Sequence, residues 1–193
     1  MSDRLKFDRD KHDVVSFHAI SLYTSVHVER TFDYILGIIY KNPVDFFPES
    51  EKVIKSKDGE KTVILKPPEK SLLKTFFMDV LLKYSSFEAL SGFYRQKSGL
   101  SMGSKISPTM ANIFVSIMEK DTIKKLISQN IIISYYRYVD DIYCIVKKGH
   151  VEDVLNKMNK FDESLEFTVE PMVDNRLNFL DTTIFLEHED LNL

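Results

Sequence analysis

Apolar residues follow two different spacings along this chain, and together they predict both strands and helices. Short runs rich in β-branched and aromatic residues are typical of strands, whereas apolar residues three and four positions apart are typical of amphipathic helices. The predicted strands lie at residues 14–20, 87–96, 131–146, 167–169 and 177–186, and the third of these ranges forms a hairpin. The predicted helices lie at residues 24–40, 71–84, 108–129 and 151–165. This mixed order predicts an α+β fold in which helices pack on one face of an antiparallel sheet.

The segment from residue 48 to residue 70 differs from its surroundings because it is rich in lysine and glutamate. Asp58-Gly59 lies between two short apolar runs, which is a strong signal for a β-hairpin. We therefore expect a charged, solvated hairpin that projects from the rest of the fold. A chain of 193 residues is long enough to bury one core. The prediction is a single domain over residues 1–193 with this excursion inside it.

Composition and charge narrow the class of protein only slightly. The formal net charge is −3, which is not the strongly basic balance expected of a self-sufficient nucleic-acid binder. It does not exclude such a binder, because the carboxylates of a metal site subtract charge. Cys144 is the only cysteine, so an internal disulfide is excluded and a reducing compartment is favoured. The sequence contains neither a signal peptide pattern nor an apolar run of membrane-spanning length. We expect a soluble intracellular protein, nuclear or cytoplasmic, with no membrane partner.

Two adjacent aspartates, Asp140 and Asp141, interrupt the predicted hairpin at the point where the chain must turn. Neighbouring carboxylates repel each other unless a cation neutralises them. The pair therefore suggests a divalent-metal site. The alternative is an ordinary polar turn, because aspartate is a favoured turn residue.

A glycine-punctuated loop, Gly99–Ser104, leads into the predicted helix, which carries Pro108 in its first turn. Glycines let the backbone approach a ligand closely, and the start of a helix favours phosphate or another anion. The alternative is a simple connection between a strand and a helix that binds nothing.

Four segments together resemble the motifs of a known family, and they stand in the family's order. Tyr138–Asp141 resembles the Tyr-x-Asp-Asp signature of reverse transcriptases, and Gly99–Ser104 resembles their template- and nucleotide-contacting motif. Residues 15–24 resemble the first palm motif, and residues 178–181 resemble the strand beyond the catalytic turn. The wording of these segments is most similar to Penelope-like retroelements. The resemblance covers roughly residues 13–186, nearly the whole chain.

The resemblance implies a polymerase palm domain for RNA-directed DNA synthesis. The implied partners are an RNA template, a DNA primer and deoxynucleoside triphosphates. In this reaction the primer 3′-hydroxyl attacks a nucleotide α-phosphate with the help of two divalent ions. By similarity, Asp140 and Asp141 are catalytic residues that bind these ions, Mg²⁺ or Mn²⁺, because hard cations prefer carboxylate oxygens.

Five further residues match positions that contact nucleotide or template in the family. Tyr23 would lie beside the sugar and exclude a 2′-hydroxyl, whereas Gly103 and its neighbour Ser104 would let the backbone lie against the nucleotide. Arg95 and Gln96 would contact the template or its phosphates. The alternatives are an ordinary core aromatic for Tyr23 and exposed polar side chains near a turn for Arg95 and Gln96.

His18 is the main departure from the family, because it occupies the position of the first catalytic aspartate. A histidine supplies nitrogen and cannot replace an anionic oxygen that bridges two Mg²⁺ ions. We expect His18 to be non-functional in this role. Three explanations, in order, are a disabling substitution in a decayed copy, a change in a non-catalytic descendant, and a ligand for a different metal. Asp13 is an odd number of residues away, so on a regular strand it faces the other side.

These features predict the reverse-transcriptase domain of a retroelement with an impaired or inactive metal site. We expect the fingers and thumb to be largely absent, which would make the chain a fragment of a longer polymerase. An alternative is a non-catalytic nucleic-acid-binding or scaffold module derived from a reverse transcriptase. A palm-like domain with other nucleotide chemistry, such as cyclisation, is a further alternative, but the glycine loop argues against it.

Overall fold

The computed structural model describes residues 7–48, 50–56, 59–79, 86–90 and 92–186. These residues belong to two compact units. The first unit comprises the chain up to Val26 and from Met102 onward, and the second comprises His27–Ser101. The single domain predicted over residues 1–193 stays a prediction. None of the helices in the described part is long and apolar enough to cross a membrane.

Strands and helices alternate along the chain without a strict repeat. The strands are β1 His12–Ile20, β2 Ser50–Ser56, β3 Gly59–Leu65, β4 Ser86–Ala89, β5 Gly92–Arg95, β6 Ile132–Tyr138, β7 Asp141–Lys147, β8 Glu166–Pro171, β9 Arg176–Phe179 and β10 Thr182–Phe185. The α-helices are α1 Leu22–Ser25, α2 Val28–Ile39, α3 Pro43–Phe46, α4 Lys70–Met78, α5 Ser107–Met118, α6 Lys124–Ser128 and α7 Val151–Asn159. One π-helical turn, Glu119–Ile123, joins α5 to α6.

The first unit is built on an antiparallel sheet with the strand order β6-β7-β1-β8. The hairpin predicted over residues 131–146 is confirmed as β6 and β7, and β1 then pairs with β7 on one side and β8 on the other. This register places His18 directly opposite Asp141. The predicted α+β class is confirmed.

One face of this sheet is covered by helices. Val15 and Phe17 on β1 are each 1% exposed, and they alternate with the more exposed Ser16 and His18. They lie opposite the buried Cys144 and Ile142 of β7. The ring of Phe114 in α5 packs against the ring of Phe161, which lies just beyond the end of α7, with ring centroids 5.4 Å apart. The helix predicted over residues 108–129 is confirmed as α5, the π turn and α6 in succession.

The β9–β10 hairpin covers part of the opposite face. Its Leu177 is 1% exposed and packs with Val14 of β1 and Ile145 of β7. The prediction of one strand over residues 177–186 is wrong, because the chain reverses at Leu180 and Asp181. Leu180 has a φ of 53°, which no regular strand adopts.

Two predicted helices have different bounds in the structure. The helix predicted over residues 24–40 is divided into α1 and α2, and His27 separates them. The His27 Nδ1 accepts a hydrogen bond from the Arg30 backbone N–H at 3.3 Å, so His27 acts as the N-cap of α2. The helix predicted over residues 151–165 is shorter, because α7 ends at Asn159, whose side-chain amide bonds the backbone of Phe167 in β8.

The second unit contains helices α2 and α4 and two antiparallel hairpins, β2–β3 and β4–β5. Phe32 and Phe77 pack α2 against α4 with ring centroids 4.9 Å apart. The predicted hairpin within residues 48–70 is confirmed, although Asp58 of its turn lies outside the described residues. Helix α4 confirms the start of the helix predicted over residues 71–84, and residues 80–84 lie outside the described part.

Candidate functional site

The acidic turn joins β6 to β7 with only two residues. Tyr138 pairs with Asp141, so Val139 and Asp140 form the turn. Val139 has a φ of 53°, in the left-handed region. The Ala19 backbone N–H donates to the Asp140 carbonyl at 2.9 Å, and this bond ties the turn to the end of β1. The sheet therefore holds both aspartates beside residue 18.

His18 and Asp141 are in direct contact across the two central strands. The His18 Nδ1 lies 2.8 Å from the Asp141 Oδ1, and their side chains are 50% and 34% exposed. A carboxylate accepts hydrogen bonds, so the contact uses the His18 ring as a donor through Nδ1. One oxygen of Asp141 is therefore engaged by a side chain instead of facing an open coordination position.

Asp13 does not replace the missing carboxylate. It lies five residues before His18 on a strand without a bulge, so the two side chains face opposite sides of the sheet. Its Oδ2 instead accepts a hydrogen bond from the Gly149 backbone N–H at 3.1 Å.

The residues at this site do not fit a pair of Mg²⁺ ions. Mg²⁺ requires oxygen ligands in octahedral geometry, and two ions need a carboxylate that bridges them. The site offers Asp140, Asp141 and one imidazole, and that imidazole is bonded to Asp141. In the described part of the chain, no group of three or more histidine, cysteine, aspartate or glutamate side chains is placed to hold a metal ion.

A cleft of about 300 Å³ opens beside the His18–Asp141 pair on the same face of the sheet. It lies between β1, β8 and the β9–β10 turn, and its polar lining residues are Ser16, His18, Asp141, Thr168, Glu170 and Asn178. Glu170 and Asp141 make this lining acidic. A phosphate group would therefore need a cation, or a change at one of these residues, to bind here.

Arg137 is a residue of the site that the sequence analysis missed. Its Nε donates to the Glu119 Oε1 at 2.6 Å, and its Nη1 donates to the Asn112 Oδ1 at 2.9 Å and to the Val139 carbonyl at 3.0 Å. The Tyr135 hydroxyl donates to the same Glu119 oxygen at 3.0 Å. Burial is the largest single effect and lowers the pKa of Arg137, but the hydrogen bond to Glu119, the charge of Glu119 and the contact with Tyr135 together outweigh burial, so the pKa is raised. The alternation of side chains along the strand could have revealed this residue. Arg137 lies on the same helix-facing side of the strand as Tyr135, and a cation on that side needs a partner.

The predicted nucleotide- and template-contacting residues are divided between the two units. Tyr23 is a half-buried residue of α1 in the first unit, where Gly103 and Ser104 also lie. A Cβ at Gly103 would meet no atom of the described chain within 4 Å, so the local packing does not require glycine. The Ser104 carbonyl accepts a hydrogen bond from the Ser107 backbone N–H at 3.2 Å, at the start of α5.

Arg95 and Gln96 lie in the second unit. Arg95 is exposed at the end of β5. The Gln96 Nε2 donates to the Ser98 carbonyl at 2.8 Å and to the Leu100 carbonyl at 3.2 Å, so this side chain braces the glycine loop. The structure thus brings together His18, Asp140 and Asp141, and it leaves the roles of the other five residues as predictions.

An antiparallel sheet with helices on one face and an acidic hairpin turn at its end is typical of the palm domains of nucleic-acid polymerases. A family model for reverse transcriptase (RNA-dependent DNA polymerase) matches residues 54–172, which is well over half of the chain. The chain belongs to the reverse transcriptase family. Members of this family generally use Mg²⁺. No curated protein matches the chain.

Solved telomerase structures share this fold. Telomerase from Candida albicans, in complex with a TWJ fragment of telomeric RNA, has a TM-score of 0.63 and 15% identity, over 91% of this chain and 30% of that one. Apo telomerase from Candida tropicalis has a TM-score of 0.61 and 14% identity, over 90% of this chain and 31% of that one. The chain therefore spans about a third of the length of these telomerases. The described fold is similar to their reverse-transcriptase palm region.

Proposed function

We propose that this chain is the RNA-directed DNA polymerase domain of a Penelope-like retroelement in which the metal centre is impaired. The observation that supports the impairment best is the 2.8 Å contact between His18 Nδ1 and Asp141 Oδ1. By the sequence resemblance, the family carries an aspartate at this position, whereas the imidazole is a nitrogen donor. The contact also occupies an oxygen of the remaining pair. The Penelope-like origin rests on the wording of the motifs at Gly99–Ser104 and Tyr138–Asp141.

Asp140 and Asp141 are the residues that we assign to the metal site of the ancestral enzyme. Two divalent ions at such a site activate the primer hydroxyl and neutralise the triphosphate. Because the present donor set does not fit that pair of ions, we assign no catalytic step to this chain. His18 is the position at which a single change would restore the missing carboxylate.

The proposed substrates are an RNA template, a DNA primer and deoxynucleoside triphosphates. The telomerase of Candida albicans is described in complex with an RNA fragment, which supports RNA as the template class for a related fold. We assign Tyr23, Gly103 and Ser104 to the nucleotide. Arg95 and Gln96 are assigned to the template, because an exposed guanidinium and an amide can both contact a polynucleotide.

The second candidate function is a non-catalytic nucleic-acid-binding or scaffold module that kept the fold and lost catalysis. The observation that favours it is the intact sheet around His18: the histidine is bonded to Asp141 rather than strained. The formal net charge of −3 argues against strong binding by the chain alone, because phosphate contacts need clustered lysine and arginine.

Primer extension on an RNA template with Mg²⁺ or Mn²⁺, with fingers and thumb segments supplied to every chain tested, separates the two functions. We expect the unchanged chain to extend primers poorly and His18→Asp to raise the rate at least about tenfold, because the substitution returns an oxygen ligand. His18→Asn is the matched control, since it has a similar size to aspartate but no charge, and it should give no increase. Efficient extension by the unchanged chain would contradict the impairment. If neither chain extends primers but both bind RNA in a salt-dependent way, the scaffold function is favoured.

A further inference from the structure

The Val139–Asp140 turn has a backbone conformation that needs support from its surroundings. Val139 is β-branched and has a φ of 53°, a combination that is a clear outlier for such residues. Conformations of this kind persist only where the surrounding structure determines them, and they occur most often at functional sites.

Both carbonyls of the turn are held by donors from defined elements. The Asp140 carbonyl accepts the Ala19 backbone N–H at 2.9 Å. The Val139 carbonyl accepts the Arg137 Nη1 at 3.0 Å. The first bond joins two main-chain groups, whereas the second depends on the identity of one side chain.

Arg137 is itself held by two residues of the helical layer. Glu119 accepts from its Nε at 2.6 Å, and Asn112 of α5 accepts from its Nη1 at 2.9 Å. Glu119 is the first residue of the π-helical turn, and single π-helical turns of this kind are frequent at functional sites. The Glu119 carboxylate therefore contacts the Arg137 guanidinium from this wider helical turn.

Only an arginine makes all of these contacts at once. The guanidinium is planar and presents five N–H donors in fixed directions, whereas lysine presents one compact ammonium group. The side chains of Arg137 and Glu119 are 13% and 23% exposed, so the charge pair is mostly removed from water. Buried ion pairs are weak contributors to stability, and their best-attested use is to select one arrangement among several.

We propose that Arg137 is a positioning residue: with Glu119 and Asn112 it fixes the Val139–Asp140 turn and so the directions in which the carboxylates of Asp140 and Asp141 point. The inference deepens the proposed function and rests on it as far as metal binding is concerned. The geometry of the turn can be measured separately, without any metal.

The first experiment follows the turn by NMR in the full chain. In Arg137→Lys we expect the Ala19 amide to exchange with solvent at least about tenfold faster, because its acceptor moves, together with shifted Val139 backbone signals. Asn112→Ala removes one bond from a solvent-exposed residue and should give a smaller change in the same direction. Tyr135→Phe is the matched control, because it deletes the other donor to Glu119 and leaves every Arg137 contact in place.

The second experiment measures Mn²⁺ binding through paramagnetic broadening of the Asp140 and Asp141 amide signals, in the His18→Asp background. Adding Arg137→Lys should weaken this binding at least about fivefold, and adding Tyr135→Phe should change it less than about twofold. Unchanged Ala19 exchange and unchanged Mn²⁺ binding in Arg137→Lys would overturn the positioning role. If Arg137→Lys fails to fold, Asn112→Ala decides by the same two readouts. If the His18→Asp chain binds no Mn²⁺ while the turn readouts respond as expected, the proposed function fails and the positioning of the turn stands.

Discussion

At the scale of single residues, the site depends on the hydrogen bond between His18 and Asp141. The imidazole donates through Nδ1 to a carboxylate oxygen at 2.8 Å, so neither group lacks a partner on the exposed end of the sheet. An aspartate at position 18 would face Asp141 with like charge, and the two would need a cation between them. The histidine instead gives Asp141 a hydrogen-bond donor at this position.

Cys144 gives a residue-scale prediction about alkaline pH. The thiol is fully buried in β7, and burial raises its pKa from 9.0 to about 12. Below pH 9 both the folded and the unfolded chain keep the proton, so the thiol adds no pH dependence. Between pH 9 and 12 only the unfolded chain loses it, so the free energy of unfolding falls as the pH rises.

The expected loss between pH 7.5 and 10.5 is about 2 kcal/mol from this thiol. Urea unfolding at the two pH values measures it, and Cys144→Ala should show a smaller difference between them. Tyr143, whose pKa burial also raises, contributes in the same direction and remains in the variant. An equal pH dependence in both chains would contradict the assignment to Cys144.

At the scale of elements, two hairpins shape the candidate site from different sides. The β6–β7 hairpin carries the aspartates, and the β9–β10 hairpin closes one side of the cleft with its turn at Leu180. The second hairpin is anchored by Leu177, which packs with Val14 and Ile145 on the face opposite the helices. A small apolar cluster therefore supports the cleft wall.

Leu177→Ala tests this anchoring. The side chain is 1% exposed, so its truncation should lower the free energy of unfolding by about 2–5 kcal/mol through lost burial and a cavity. Leu180→Ala is the matched control, because Leu180 is 49% exposed in the same hairpin and should cost less than about 1 kcal/mol. Chemical denaturation of the two variants measures both values. Equal losses would show that Leu177 does not anchor the hairpin.

The elements that the sequence predicts well are those with a strong local pattern. Strand β1, the β6–β7 hairpin and the α5–α6 region are recognised because apolar spacing along the chain is a local property. The reversal at Leu180 was missed because neither glycine nor proline marks the turn, and Asp181 is the one residue there that turns favour.

The sequence does not predict the contacts between distant residues. It identified His18, Asp140 and Asp141, but the bond between His18 and Asp141 depends on a strand register that no local pattern specifies. The Arg137–Glu119 contact was missed for the same reason, since it joins a strand to a helix.

At the scale of the whole molecule, membership of the family does not determine which chemistry the site performs. The fold is shared with telomerases at about 15% identity, and the family match covers residues 54–172. Such a similarity establishes the fold and the ancestry, whereas activity depends on a few side chains at the site. A single substitution at position 18 can thus leave the fold intact and change what the site binds.

The role of His18 is tested most directly by a Mn²⁺ titration of the unchanged chain and of His18→Asp, monitored through broadening of the Asp140 and Asp141 amide signals. We expect the unchanged chain to show no site-specific broadening. We expect His18→Asp to bind Mn²⁺ at the turn and to lose this binding when Asp141→Asn is added. Equal, site-specific Mn²⁺ binding by the two chains would contradict this expectation, because His18 would then be compatible with a working metal site.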